Sequence, residues 1–172
     1  EVADSGTVLK SPDAKTVMMF QEDRLLENLS VMANIMLAIQ LHSKEQKQSA
    51  RERIKEALCG VGLEGTENKP VSELSGGQKR RLSLLVTILN HPKLIFLDEP
   101  TTGMDLEAVD NFWKLLEQQE FTSVVVTHDF NQIDAFFTKV LILKDGRIAA
   151  TKSVEDIHQA GQTIEQYFRE EM

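Results

Sequence analysis

Asp98 and Glu99 are the residues with the clearest capacity for chemistry: two adjacent carboxylates directly after the apolar run Leu94-Ile95-Phe96-Leu97. Such a pair suits metal and water chemistry. One carboxylate can hold magnesium, largely through water, while the other orients or deprotonates an attacking water. Upstream lies Leu74-Ser75-Gly76-Gly77-Gln78, followed by a basic and apolar run with helical character. Glycines let a phosphate approach the backbone, and a helix start offers free N–H donors and the positive end of a dipole. Downstream are Thr101-Thr102-Gly103-Met104-Asp105 and, at the end of another apolar run, Thr127-His128-Asp129.

These groups need elements to hold them. Leu94 to Leu97, with Pro92 before and Pro100 after, is long enough for a fully buried parallel strand and too short for a helix. Asp98 and Glu99 therefore fall at a strand's carboxyl end, where open α/β sheets bind their ligands. Thr16 to Phe20 reads as a second buried strand, ending at Gln21. Phe121 to Thr127 reads as a third, with Val124-Val125-Val126 buried and His128 delivered to the carboxyl edge. Between the first two strands the pattern is helical. Ser30 can cap a helix with Val31, Ile35, Met36 and Ile39 near one face, and Ser43 with Gln46 makes a capping box for a run to Leu58 that Gly60 can stop. The charges from Lys44 to Glu56 read as a solvated face. Cys59, the single cysteine, stands among apolar neighbours and is expected to be a buried structural thiol.

Asp105 can cap a helix whose stripe is Val109, Phe112, Leu115 and Leu116, and Asp129 can cap another that runs through Phe137. Val140 to Leu143 and Arg147 to Ala150 form a hairpin around Asp145-Gly146, a favoured tight-turn pair. Ser153 and a helical tail from Thr163 to Glu171, packed down by Tyr167 and Phe168, follow.

Composition limits the function classes. The chain has 172 residues, 41% of them hydrophobic, which suits one folded core. No apolar run approaches the ~18 residues needed to span a bilayer, so a link to a membrane would come through a partner. The net charge of −8 argues against nucleic acid as a ligand, because a phosphate backbone is bound by clustered basic residues.

Taken together and in this order, Leu74 to Gln78, the strand ending in Asp98-Glu99-Pro100, and the Gly103-Met104-Asp105 turn resemble the signature motif, Walker B strand and D-loop of ATP-binding cassette (ABC) ATPases. Gln21 is similar to the family's Q-loop residue and His128 to its H-loop histidine. The resemblance runs from about Gly6 to Ile148. It implies an α/β fold of the P-loop NTPase-like ABC type: a mostly parallel sheet flanked by helices, an inserted helical subdomain at 28–90 and an antiparallel β region near residues 4–13. It further implies one ABC ATPase domain over 1–172. Asp98 and Gln21 would serve magnesium, Glu99 would act on the attacking water, and Gln21 and His128 would sense the γ-phosphate of ATP. Ser75, Gly76, Gly77, Gln78 and Asp105 would contact the nucleotide held by a second ABC ATPase subunit in a head-to-tail dimer. A transmembrane permease subunit would tether the protein to the cytoplasmic face of the membrane.

The chain also departs from the family. The Walker A loop, G-x-x-x-x-G-K-[ST], supplies the backbone cradle and lysine for the β- and γ-phosphates, yet no Gly-Lys pair occurs in these residues. Gly6 with Lys10-Ser11 is a lookalike, but Leu9 stands where the second glycine is required. In the family that loop lies upstream of the β region, so the expectation is a chain truncated at its amino terminus and inactive by itself. Phe20 to Leu26 is similar to the Q-loop region of importers for nitrate, sulfonate or taurine-like solutes. Thr101 to Asp105 is a pattern also common in exporters. The competing reading is a non-catalytic partner that lends its signature motif to an intact neighbour's ATP site.

Overall fold

The computed structural model describes residues 15–20, 24–39, 44–89 and 91–172. Gln21, the expected β region near residues 4–13, the Gly6 lookalike and the Ser43 cap all lie outside the described residues. The chain divides into two compact units, residues 1–127 and 128–172.

In the first unit a parallel sheet has the order β1 (Thr16–Met19), β2 (Leu94–Asp98), β3 (Thr122–Val126). Parallel neighbours cannot be joined by a hairpin, and here helices make the crossovers. Between β1 and β2 come α1 (Val31–Ala38), α2 (Lys44–Gly60), a short 3-10 turn (Val71–Glu73) and α3 (Gly76–Ile88); α4 (Leu106–Glu117) joins β2 to β3. The register aligns Met18 with Phe96 and Val124, and Met19 with Leu97 and Val125. Because side chains alternate along a strand, Met19, Ile95 and Leu97 share one face and are almost fully buried.

The opposite face overturns one expectation. Val124 and Val126 are not buried but 38% and 58% exposed, and Met18 and Phe96 are exposed too, so neither β1 nor β2 is the fully buried strand expected. They share the outer face, and among the described residues β3 stands at the edge of the sheet. Only Val125, on the side of Leu97, is even half-buried.

The starts of α1, α3 and α4 follow from a local side chain. The Ser30 hydroxyl accepts from the Ala33 amide, and Asp105 Oδ1 accepts from the Ala108 amide at 2.8 Å. On α1 the buried residues are Val31, Asn34 and Ile35. Asn34 ties the preceding loop to the helix: its Oδ1 accepts from the Leu26 amide at 2.8 Å, and its Nδ2 donates to the Leu26 and Ser30 carbonyls. The loop 61–74 is laced to the same segment by Val31 N–H to Lys69 O, Met32 N–H to Glu67 O and Val71 N–H to Leu29 O.

Cys59 is exposed rather than buried. The buried face of α2 runs through Ala50, Ile54 and Leu58, and a residue one step beyond Leu58 is turned about 100° away from that stripe.

The second unit is a hairpin with three helices. β4 (Lys139–Lys144) pairs antiparallel with β5 (Arg147–Ser153). Its two-residue turn places Asp145 and Gly146 at φ 52° and 73°, the left-handed pair that suits the twist of a hairpin. α5 (Phe130–Phe136), α6 (Val154–Gln159) and α7 (Ile164–Glu171) start at Asp129, Ser153 and Thr163, each of whose side chains accepts an amide of the first turn. Ile142, Val154, Ile157, Ile164 and Tyr167 form the core, with Phe168 against Phe130.

Candidate functional site

The site begins where β2 ends. Asp98 closes the strand opposite Val126, and the Glu99 amide still donates to Val126 O at 2.9 Å. The chain then turns sharply, with Glu99 at φ 44°. This is left-handed backbone, which costs a residue with a Cβ about 1 kcal/mol and persists only where surrounding bonds enforce it. Glu99 O accepts from the Thr102 amide and Thr101 O from the Met104 amide, so residues 99–104 form a tight turn with Gly103 at φ 79°. Both carboxylate residues are half-buried: held by the strand, yet open to solvent.

The second part is the start of α3. Leu74 is buried and fixes the entry of the chain, while Ser75 and Gly76 are exposed. Ser75 and Gln78 form a capping box: the Gln78 amide donates to Ser75 Oγ, and the Ser75 amide donates to Gln78 Oε1 at 3.0 Å. Two of the first-turn donors are thereby satisfied. The amides of Gly76 and Gly77 remain at the helix start, with no internal partner among the described residues. A Cβ built on Gly76 would meet nothing within 4 Å, so a ligand has open space over these donors. A Cβ on Gly77 would lie 3.9 Å from Gly103 O, which puts the helix start beside the turn that follows Glu99.

One residue joins the two parts, and sequence reasoning passes over it. Arg80, 3% exposed, donates from Nε to Pro100 O at 2.8 Å and from one terminal nitrogen to Asp98 O and Glu99 O at 2.9 and 3.0 Å. Its other terminal nitrogen donates to Phe20 O at the end of β1. A signal for it exists. Arg80, Leu84 and Ile88 recur at helical spacing and are all buried, so this arginine lies on the core face, not among solvated charges.

The remaining expected residues are placed as follows. Asp105 is the cap of α4, with Oδ1 engaged by the Ala108 amide. His128 is exposed and opens the second unit, where Asp129 beside it caps α5. Gln21 lies outside the described residues. Among those described, no three His, Cys, Asp or Glu gather into a metal site, and no helix is long and apolar enough to cross a membrane.

Known proteins share both the pattern and the fold. A family model described as "ABC transporter" matches residues 2–102. The energy-coupling factor transporter ATP-binding protein EcfA of Methanocaldococcus jannaschii is 36% identical over 121 residues, 69% of this chain and 43% of that protein. The aliphatic sulfonates import ATP-binding protein SsuB 1 of Agrobacterium fabrum is 36% identical over 155 residues, 88% of this chain and 55% of that protein. The methionine import ATP-binding protein MetN of Staphylococcus haemolyticus is 32% identical over 159 residues, 90% of this chain and 46% of that protein. The chain thus spans about half the length of the curated relatives it matches. Among solved structures, cbiO1 from Clostridium perfringens, described as part of the ABC transporter complex cbiONQ, superposes with a TM-score of 0.70 at 25% identity, covering 91% of this chain and 62% of its own. A dimeric ATP-binding cassette in a post-hydrolysis state, bound to ADP and Pi, gives 0.69 at 29% identity, with 82% and 63% covered. An ATP-binding subunit of an ABC transporter shares the fold at a TM-score of 0.79 and 20% identity, with 91% and 68% covered. With its α/β fold, parallel sheet, helices and antiparallel hairpin, this chain belongs to the ABC transporter family.

Proposed function

We propose that the chain is part of the ATP-binding, ATP-hydrolysing subunit of an ABC importer, working at the cytoplasmic face of a membrane through a permease subunit. One observation carries this reading: the backbone carbonyls of Asp98 and Glu99, two half-buried carboxylate residues at the carboxyl end of β2, accept from Arg80 on the helix whose start is glycine-rich and capped. In this reading Asp98 holds magnesium, and Glu99 takes the proton from water as it attacks the γ-phosphoryl group. Two hard oxygen donors, with no larger ligand set among the described residues, fit magnesium, which is bound through one or two carboxylates plus phosphate oxygens and water. When bound, the ion neutralises charge on the phosphate oxygens. Gln21 and His128 would contact the γ-phosphate. Gly76 and Gly77 would present their amides to the nucleotide of a second subunit, with Ser75, Gln78 and Asp105 shaping that surface; the helix start is open enough for this. Residues 28–90 would form the helical subdomain of a single ABC ATPase domain over 1–172; the solute would be of the nitrate, sulfonate or taurine type by the resemblance of Phe20 to Leu26, and the similarity to an aliphatic sulfonates import protein supports the sulfonate among these.

The capped helix start with open space over Gly76 also supports a second reading, in which the chain binds no ATP of its own and lends Ser75 to Gln78 to an intact neighbour. Steady-state hydrolysis by the native full-length protein separates the two. Glu99→Gln should lower turnover by about 10²- to 10⁴-fold while keeping ATP binding, and Asp98→Asn should weaken magnesium-dependent binding itself. Near-normal turnover in Glu99→Gln would remove Glu99 from the role of base. No turnover in the parent protein, with signature-dependent stimulation of a neighbouring subunit, would establish the second reading.

A further inference from the structure

We propose that Arg80 is a positioning residue for Glu99, a clamp that sets the direction of its carboxylate by fixing the backbone on both sides of it. The proposal rests on the reading of Glu99 as the general base. Three consecutive carbonyls, of Asp98, Glu99 and Pro100, all accept from one guanidinium, at 2.9, 3.0 and 2.8 Å. Successive carbonyls of an extended strand point to opposite sides, so three converging on one group cannot belong to a strand. The guanidinium therefore stabilises the point where β2 stops and Glu99 enters its left-handed conformation at φ 44°.

The Glu99 amide is meanwhile held by Val126 O at 2.9 Å. With the amide tied to β3 and the neighbouring carbonyls tied to α3, the peptide planes flanking Glu99 have little freedom, and its Cα–Cβ bond follows them. The same arginine reaches Phe20 O, the carbonyl just before Gln21. One buried cation on α3 thus ties together the ends of β1 and β2. The planar fork is what makes this possible: lysine offers a single point charge and cannot span carbonyls of three residues.

A purely structural arginine and a positioning arginine predict different couplings. The test measures kcat and KM for ATP in the native full-length protein, with Arg80→Met, Arg80→Lys, Glu99→Gln and the Arg80→Met/Glu99→Gln double variant. A misplacement of the order of 1 Å at a reacting group can cost about 10²-fold. We expect Arg80→Met to lose about 10- to 100-fold in kcat with KM nearly unchanged, and Arg80→Lys to recover only a small part. In the Glu99→Gln background Arg80→Met should cost almost nothing further, because residues acting as a unit are non-additive. An equal loss in both backgrounds, or a change confined to KM, overturns the clamp. Normal turnover in Glu99→Gln alone overturns instead the assignment of the base. If Arg80→Met does not fold, Arg80→Lys, which keeps charge and most of the volume, runs the same cycle with the same criteria.

Discussion

Asn34 offers a quantitative test of how the segment after β1 is held. The residue is 7% exposed and makes three well-formed bonds: it accepts from the Leu26 amide at 2.8 Å and donates to the Leu26 and Ser30 carbonyls at 3.0 and 3.1 Å. A typical internal hydrogen bond contributes about 1 kcal/mol net. Alanine recovers about 0.5 kcal/mol through better helix propensity. Since the Ser30 carbonyl also accepts from the Asn34 amide and Leu26 is exposed, water and the helix can replace part of what is lost. Asn34→Ala should therefore destabilise the chain by about 2 kcal/mol.

Asn34→Asp sharpens the prediction. Its carboxylate keeps the Leu26 amide but meets the Leu26 and Ser30 carbonyls with lone pairs in place of a donor, so at neutral pH it should be worse than alanine. Burial and those oxygens raise the carboxyl's folded pKa above its unfolded value. The folded state then holds a proton at pH values where the unfolded chain has lost it, so stability should rise as pH falls through the folded pKa. Urea titrations of the 172-residue chain at neutral and mildly acid pH measure both effects. The reasoning fails if Asn34→Ala stays within about 0.5 kcal/mol of the parent, or if Asn34→Asp gains nothing from acid.

Other outcomes follow from the site and from the exposed thiol. Calorimetric titration of the 172 residues with magnesium and ATP should give no binding heat at micromolar concentrations, because Asp98 without a phosphate cradle cannot hold a triphosphate against water; micromolar affinity would contradict this. Cys59, exposed on α2, should react with a thiol reagent in the folded chain nearly as fast as in urea. Protection of more than about a hundredfold, the signature of a thiol reached only by opening, would show it to be buried.

How much the sequence discloses differs from element to element, for physical reasons. β2 is legible because four apolar residues between two prolines leave few alternatives, and the carboxylates follow at its end. The start of α3 is legible because Ser75 and Gln78 carry their own cap chemistry within one turn. Both are local. Val124 and Val126 mislead because a continuous apolar run describes a strand covered on both faces, whereas these valines lie on an exposed face of a strand that stands at the sheet's edge among the described residues. Cys59 misleads by one helical step: an apolar neighbourhood in sequence is not the buried stripe of Ala50, Ile54 and Leu58. Arg80 and Asn34 are hidden for a deeper reason. Their burial depends on backbone carbonyls and amides brought to them by the fold, from residues 98–100 and 26 respectively, and no pattern of side chains encodes where backbone groups will converge.

In the proposed function, the carboxylates after β2 and the helix start of α3 serve ATP shared between two subunits. Light scattering coupled to size-exclusion chromatography of full-length Glu99→Gln protein, with and without magnesium and ATP, tests it most directly. Slowed hydrolysis should let the shared nucleotide persist, so the mass should double when ATP is present, and adding Ser75→Arg, which fills the open helix start, should return it to that of a single subunit. A single-subunit mass under both conditions, with ATP binding intact by calorimetry, would contradict the account.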